Sequence, residues 1–116
     1  MPHPKYILKS TIDDKFHFNL TAKNGQVILS SQTYTSKSSA VNGIVAVQIN
    51  SSHDDHFTKG MSTDDQYYFN LKANNGLVIG TSEMYTTKEA RDNGIESARE
   101  NGHTKEIEDK TLLNVF

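Results

Sequence analysis

The chain contains one sequence motif twice. FNLTAKNGQVILSS at 18–31 returns as FNLKANNGLVIGTS at 69–82, and a shift of 51 residues places 18–50 over 69–101 without a gap. Sixteen of these 33 aligned positions are identical. Self-similarity of this length indicates one supersecondary unit used twice, and such units bury their apolar surface against each other. The repeat therefore predicts how the chain folds rather than a catalytic or binding site.

Each unit begins with short strands. Residues 15–22 alternate apolar and polar side chains, which is the pattern of a strand with one buried face. Asn-Gly at 24–25 then separates this strand from a second apolar run, and this arrangement is a strong hairpin signal. A further short strand is predicted at 5–10, with Asp-Asp at 13–14 forming the turn. The same elements are expected 51 positions later in the second unit.

The period then changes to that of a helix. Residues 34–50 and 85–101 each predict a helix of about four turns. Thr86 fits the N-cap position of the second helix, and Glu89 three residues later completes a capping box. Thr35 is the equivalent cap in the first unit.

Glycines lie inside both predicted helices at the same place, Gly43 and Gly94. Each costs about 1 kcal/mol relative to alanine in a helix interior. Because both units accept this cost, we expect the helix backbone to pack closely on the sheet there. Gly102 is expected to end the second helix.

The motif F-N-L-x-A-x-N-G-x-V-I, followed by Y-T-[ST]-K and N-G-I and repeated at a spacing of 51, resembles the YegP-like family of bacterial tandem-repeat proteins. The resemblance covers residues 5–109. It implies an α+β fold, a tandem repeat of two β(3)-α-β units that share one antiparallel sheet, exchange their final strands and place two helices on one face. Residues 1–116 are then a single domain of two repeats, about 5–55 and 56–109, with a C-terminal tail at 110–116. The resemblance implies no particular activity, substrate or cofactor.

The composition narrows the class of protein. A chain of 116 residues without cysteine has no disulfide, thiolate ligand or cysteine nucleophile, and this favours a reducing cytoplasm. Residues 1–10 lack the apolar core of a signal peptide, and no apolar run approaches the roughly 18 residues that span a bilayer. A net charge of −2 disfavours nucleic acid as a partner. We expect a cytoplasmic protein without membrane contact. We also expect a monomer rather than a homodimer, because a single unit would expose the seam of the sheet and two fused units cover it for each other.

Candidate chemistry is sparse. The segment His53-Asp54-Asp55-His56 has spacing and donor types that suit a metal ion, but a polar linker between a helix and a strand has the same composition. The other adjacent aspartates are better explained as turn formers than as a general acid and base. No motif presents an activated serine. We therefore expect no catalytic residue, no metal site and no cofactor, and a protein that is not an enzyme.

The sheet face away from the helices is one candidate surface. Its predicted members are polar or aromatic: His17, Asn19, Thr21, Tyr68, Asn70 and Lys72. Such a platform can stack a nucleic-acid base or pack a peptide. Antiparallel sheets often leave one face in water without a binding role, and we favour this interpretation.

The first helix offers a second candidate surface. Three apolar positions align with acidic ones of the second helix: Val41 with Asp92, Val45 with Glu96 and Ile49 with Glu100. Since the acidic residues are expected to face solvent, the first helix carries an apolar stripe outside the shared core. Apolar residues of the tail extend the candidate partner surface: Leu112, Leu113 and Phe116. Three explanations stay open: the tail covers the stripe, a partner or second copy covers it, or the helix tilts and buries it.

These observations favour a small non-enzymatic structural or protein-interaction module with an unidentified protein partner. The alternative is a protein that binds a small ligand or single-stranded nucleic acid on the open sheet face.

Overall fold

The computed structural model describes residues 3–111, which form a seven-stranded sheet with two helices on one face. The elements are, in chain order, β1 (Lys5–Ser10), β2 (Phe16–Thr21), β3 (Val27–Ser30), α1 (Lys37–Asn50), β4 (Phe57–Met61), β5 (Tyr67–Lys72), β6 (Val78–Ser82), α2 (Lys88–Asn101) and β7 (Ile107–Asp109). A 3-10 turn at Asp54–His56 precedes β4. Neither helix of the described range is long and apolar enough to cross a membrane. The predicted fold class is confirmed.

Two three-stranded meanders meet at the centre of the sheet, whose strand order is β4-β5-β6-β3-β2-β1-β7. Ser30 of β3 pairs with Thr81 of β6, which is its own equivalent in the repeat. An approximate two-fold axis therefore passes through this pair. The strands that follow the helices are exchanged, because β4 pairs with β5 of the second unit and β7 pairs with β1 of the first. The β1–β7 pairing is parallel, whereas the other five pairings are antiparallel.

The core lies between the helices and one sheet face, and β2 and β5 contribute equivalent residues to it. Four of the apolar side chains predicted for the inner face of β2 and β5 are fully buried: Phe18, Leu20, Phe69 and Leu71. The residues at the ends of the same alternation are half-buried: Phe16, Ala22, Tyr67 and Ala73. The helices add Ala40, Ile44, Val47 and Ala98, which are also fully buried. The alternation read in the sequence therefore gives the correct buried face of β2 and β5.

Gly43 and Gly94 allow each helix to approach an aromatic ring. A Cβ atom on Gly43 would lie 2.5 Å from Tyr34 Oη and 3.0 Å from Phe18 Cε2. Gly94 has the same environment in the second unit. The Tyr34 ring is itself stacked on Phe18, with centroids 6.3 Å apart. The predicted close packing at these glycines is confirmed, and its immediate cause is the tyrosine that precedes each helix.

The second helix begins one residue later than predicted. Thr87 is the N-cap, with φ −132°, and its hydroxyl accepts a hydrogen bond from the backbone N–H of Ala90 at 3.0 Å. The prediction of Thr86 is wrong because Tyr85 still belongs to the sheet, bound to β5 by two backbone hydrogen bonds of 2.7 Å. The position for a capping-box acid therefore falls on Ala90, and Glu89 does not complete a box.

The first helix shows the same shift. Ser36 is the N-cap, with φ −136°, and accepts from the backbone N–H of Ser39 at 3.1 Å. The prediction of Thr35 is wrong for the same reason, since the residue before it is still paired with β2.

Gly102 ends α2 as predicted, but for a different reason. Its φ is −65°, so it does not adopt the left-handed conformation common at this position. A Cβ atom on Gly102 would lie 2.5 Å from Cβ of Ser51, the fully buried equivalent residue at the end of α1. The two helix ends therefore meet at the approximate two-fold axis, where the Tyr6 hydroxyl also donates to the Gly102 carbonyl.

The corrected caps can be tested by substitution. We expect Thr87→Ala to lower the free energy of unfolding by about 1 kcal/mol, because an N-cap hydroxyl satisfies a helix N–H that alanine leaves open. Thr86→Ala is the matched control and should change it by only a few tenths of a kcal/mol, measured by urea denaturation. Equal losses for the two variants would contradict the cap at Thr87.

The glycine contacts generate a second prediction. We expect Gly43→Ala to lower the free energy of unfolding by about 1–2 kcal/mol in urea denaturation, because overpacking outweighs the gain in helix propensity. Tyr34→Phe removes the nearest atom and should reduce this loss, whereas Tyr85→Phe, at the equivalent place in the other unit, should leave it unchanged. A neutral or stabilising Gly43→Ala would show that packing does not require this glycine.

Candidate functional surfaces

The sheet face away from the helices carries a row of polar side chains across five strands. Strand pairing aligns Thr58, Asn70, Thr81, Ser30 and Asn19 in this order. The Thr81 hydroxyl donates to Asn70 Oδ1 at 2.8 Å. Asn19, with its amide nitrogen facing β3, donates to Ser30 Oγ at 3.1 Å. Members of this row bind one another, so part of their hydrogen-bonding capacity is already used in holding the strand register.

Five of the six predicted open-face residues are partly exposed: His17, Asn19, Tyr68, Asn70 and Lys72. The sixth, Thr21, is only 3% exposed. A register shift between Leu20 and Thr21 displaces it from the regular alternation, and its hydroxyl donates to the Lys5 carbonyl at 3.2 Å. The prediction of Thr21 as an accessible residue is therefore wrong.

The aromatic and basic groups of this face are constrained by their neighbours. A Cβ atom on Gly60 would lie 2.5 Å from Tyr68 Cζ, so one side of the tyrosine ring packs on the glycine of the paired strand. Burial, and then the nearby Lys9 ammonium, lowers the pKa of His17. Because a lowered pKa favours the neutral imidazole, His17 adds little attraction for a phosphate.

The outer face of α1 differs from that of α2. Val45 is 44% exposed and Ile49 is 58% exposed, whereas Val41 packs against the core. Burial by the helix itself therefore explains only one of the three apolar positions. The aligned residues of α2 are exposed acids, as predicted: Asp92, Glu96 and Glu100.

The predicted tail residues Leu112, Leu113 and Phe116 lie outside the described residues. The structure does show where the tail begins. Asp109 Oδ2 lies 2.5 Å from Nζ of Lys37, the first residue of α1. The chain therefore leaves the sheet beside the first turn of α1, at one end of the apolar stripe.

The side chains of the 53–56 segment are engaged locally. His56 Nδ1 lies 2.7 Å from Asn50 Oδ1, and Asp54 forms an ion pair of 2.9 Å with Arg99. Within residues 3–111, no three metal-ligating side chains come together in a group that could hold a metal ion. The segment thus connects α1 to β4 through polar contacts of its own.

The adjacent aspartates of each unit form turns, as predicted. Asp14 and Asp65 have φ values of 61° and 63°, in the left-handed region that aspartate tolerates. The Ser62 hydroxyl donates to Asp64 at 2.5 Å. The carboxylates are therefore used in local turn structure at equivalent places of the two units.

The two outer edges of the sheet are not equivalent. On one edge β7 covers β1, where the Tyr6 N–H donates to the Glu106 carbonyl at 2.9 Å and the Lys110 N–H donates to the Leu8 carbonyl at 2.8 Å. On the other edge β4, the repeat equivalent of β1, has no described strand on its outer side. A cleft of about 220 Å³ lies beside it, lined by Asp54, Phe57, Lys59, Asp92 and Ile95.

The open β4 edge was missed by sequence reasoning, although a signal was present. In two β(3)-α-β units, the strand that ends the first unit and the strand that begins the second both fall on the segment after the first helix, at 56–62. One strand with two roles leaves one sheet position without an occupant, and counting the strands would have shown this.

Ion pairs fasten β7 to the first unit. Lys5 Nζ lies 2.5 Å from Glu108 Oε1, and Lys37 Nζ lies 2.5 Å from Asp109 Oδ2. The hydrogen bond from Lys37, followed by that from Thr111, lowers the pKa of Asp109 to about 2. The anchor of β7 on α1 is therefore ionic at neutral pH.

These features define a class of small α+β proteins in which two strand-strand-strand-helix units build one sheet about an approximate two-fold axis. The chain belongs to the family described as a domain of unknown function, DUF1508, which matches residues 13–57 and again residues 62–109.

Relatives and solved structures agree with this assignment. The chain is 51% identical over 106 residues to a UPF0339 protein of Shewanella oneidensis, covering 91% of this chain and 96% of that protein. It is 42% identical over 104 residues to the UPF0339 protein YegP of Escherichia coli K12, covering 90% and 94%. The resemblance drawn from the repeat motif is confirmed.

Two solution NMR structures share the fold. UPF0339 protein SO3888 of Shewanella oneidensis has a TM-score of 0.89 at 50% identity, covering 95% of this chain and 93% of that chain. The protein of unknown function yegP of E. coli has a TM-score of 0.91 at 39% identity, covering 98% of both chains. These relatives carry no assigned activity, so they establish family and fold and indicate no function.

The β7 anchor gives a pH-dependent prediction. The pKa of Asp109 is lower in the folded state than in the unfolded state, where it is about 3.9, so its contribution to stability is complete above about pH 5 and is lost as pH falls towards 2. We expect Asp109→Asn to lower the free energy of unfolding at pH 7 by up to about 1 kcal/mol, because the pair is partly exposed. The difference from wild type should shrink as pH falls and vanish below about pH 2.

The lysines supply the matched control for this anchor. Lys37→Met should reproduce the effect of Asp109→Asn in urea denaturation across pH, whereas Lys88→Met, the same change in the second unit, should not. A loss from Asp109→Asn that persists unchanged at pH 2 would show that the ion pair is not its cause.

Proposed function

We propose that the protein is a non-enzymatic protein-interaction module of the cytoplasm, and that it binds a partner protein through the outer face of α1. The single observation that carries this proposal is the exposure of Val45 and Ile49, at 44% and 58%, where the equivalent positions of α2 are acidic. Exposed apolar side chains grouped on one surface are typical of interaction sites. The absence of cysteine supports the cytoplasm.

The start of the tail supports the same surface. The Lys37–Asp109 ion pair holds Asp109 beside the first turn of α1, and Leu112, Leu113 and Phe116 follow three to seven residues later in the sequence. Together with Val45 and Ile49 they supply the apolar anchors that a protein interface needs. We propose that the tail contributes to the partner surface.

A binder of small ligands or single-stranded nucleic acid on the open sheet face is the weaker candidate. Tyr68 and Lys72 are partly exposed there, and stacking on an aromatic ring is the usual contact with an unpaired base. The polar row, however, is bonded within itself, and a net charge of −2 adds no general attraction for a phosphate backbone. An affinity for single-stranded nucleic acid that depends on salt and falls on Tyr68→Ala would favour this alternative.

The repeat supplies a direct test of the α1 surface. Val45→Glu with Ile49→Glu gives α1 the residues that α2 already carries at these positions, so the fold should tolerate them. We place a photo-cross-linking side chain at Asn42, exposed on α1, and at the identical exposed residue Asn93 of α2 as the control. In cells, position 42 should give a defined cross-linked protein, position 93 should not, and the glutamate pair should reduce the product at least tenfold.

Three other results would contradict the proposal. They are the absence of a product at position 42, an equal product at position 93, and a product that survives the glutamate pair. Sedimentation of the intact chain over a range of concentrations identifies a second copy as the cross-linked protein, if the wild type dimerises and the glutamate pair does not.

A further inference from the structure

The two edges of the sheet can be compared residue by residue, because β1 and β4 are equivalent in the repeat. In β1, Tyr6 and Leu8 direct their backbone groups towards β7, as the hydrogen bonds to Glu106 and from Lys110 show. The equivalent residues of β4 are Phe57 and Lys59. The Phe57 N–H is already bonded to the Asp54 carbonyl of the 3-10 turn. Within residues 3–111, no strand stands against Lys59 as β7 stands against Leu8.

The side chains at the β4 edge are also less well covered than their equivalents at the β1 edge. In the first unit, Tyr6, Leu8 and Ile44 are at most 1% exposed. Their equivalents in the second unit are half-buried or exposed and line the cleft: Phe57, Lys59 and Ile95. A strand on β4 would extend the sheet by one position and cover the apolar part of this cleft. Adding a strand to an exposed edge is a common way of binding an extended peptide.

The charges around the cleft specify one further feature of the occupant. Its two acids are already paired, Asp92 with Lys59 at 3.2 Å and Asp54 with Arg99 at 2.9 Å. Lys88 is the equivalent of Lys37, which binds Asp109 of β7. Lys88 is exposed and forms no ion pair within residues 3–111.

Residues 110–116 of the same molecule do not reach this edge. The tail leaves from β7 at the opposite edge, six strand spacings away, which is about 29 Å. Residues 110–116 span about 25 Å at most when fully extended. The β7 strand of a second copy is engaged on its own β1. These distances and contacts, together with Lys88 as the equivalent of Lys37, favour an extended segment of another protein as the occupant.

We propose that the outer edge of β4 binds an extended segment of a partner protein as an additional strand, parallel to β4, with an apolar residue followed two positions later by an acidic one. The apolar residue takes the place that Ile107 has on β1 and lies over the cleft at Phe57. The acidic residue takes the place of Asp109 and binds Lys88. This site is separate from the outer face of α1, so each can fail without the other.

The chain provides its own probe for this site. A fluorescent peptide of residues 103–111, HTKEIEDKT, is added to the intact protein and its anisotropy is measured. We expect saturable binding, with amide chemical-shift changes centred on Thr58 to Met61. A spin label at the peptide N-terminus should broaden the amide of Phe57 more than that of Met61, because the strands are parallel. The reversed peptide, TKDEIEKTH, is the matched control and should bind at least tenfold more weakly.

Two substitutions on the protein test the contacts. Lys88→Glu should weaken binding at least tenfold, and a peptide with Lys in place of Asp109 should restore it, whereas Lys37→Glu should have no such effect. Lys59→Pro removes the backbone N–H that points outward from the β4 edge. Thr58 and Gly60, whose backbone groups point the other way, keep the hydrogen bonds to β5. This variant should also weaken binding at least tenfold.

Each alternative result overturns a stated part of the proposal. No binding at millimolar peptide would show that β4 is a protected edge. Shifts at Tyr6 and Leu8 instead would show that the peptide displaces β7. Binding that is insensitive to Lys88→Glu would remove the acidic requirement, and dimerisation of the wild type that Lys59→Pro abolishes would assign the edge to a second copy.

Discussion

The structure depends on the antiparallel pairing of β3 with β6. Each unit alone is a three-stranded meander with one helix, and a sheet of three strands has two open edges and little area for a helix to cover. Pairing Ser30 with Thr81 removes one open edge from each unit and brings the two inner faces into one surface. Both helices then pack across the seam, with α1 contacting strands of the second unit and α2 contacting β3 of the first. The similarity of β2 and β5 follows from this arrangement, because Phe18 and Leu20 face environments equivalent to those of Phe69 and Leu71.

Residues that face the core could be predicted because their environment follows from the strand and helix periods. Phe18 and Leu20 alternate with polar residues, and the structure buries them as the alternation requires. Gly43 was unfavourable for a helix and therefore indicated a packing cause, which the structure identifies as the Tyr34 ring. In each case one local rule was enough, and the duplicate sequence provided a second, independent instance of it.

The errors share a physical origin in contacts between residues distant in sequence. Thr86 has every local feature of an N-cap, but Tyr85 is bonded to β5 and keeps the chain extended for one more residue. Thr21 follows the alternation in sequence, but a register shift turns it towards the Lys5 carbonyl. The candidate surfaces have the same limitation. The exposure of Val45 could be inferred from its alignment with Glu96, whereas the open β4 edge requires the number and order of all strands in the sheet, which no single local pattern gives.

The inequality of the edges is a consequence of joining two symmetric units into one chain. In a fully symmetric arrangement, each unit would send a closing strand to the first strand of the other, and the sheet would have eight strands. Here β4 is the next strand after α1 and must also begin the second unit, so residues 3–111 contain seven strands and close only β1. The lysine that anchors the closing strand is nevertheless present in both units, as Lys37 and Lys88. The second unit thus retains the contact residue for a closing strand that residues 3–111 do not supply, and this mismatch is the basis for proposing that β4 binds a strand of another protein.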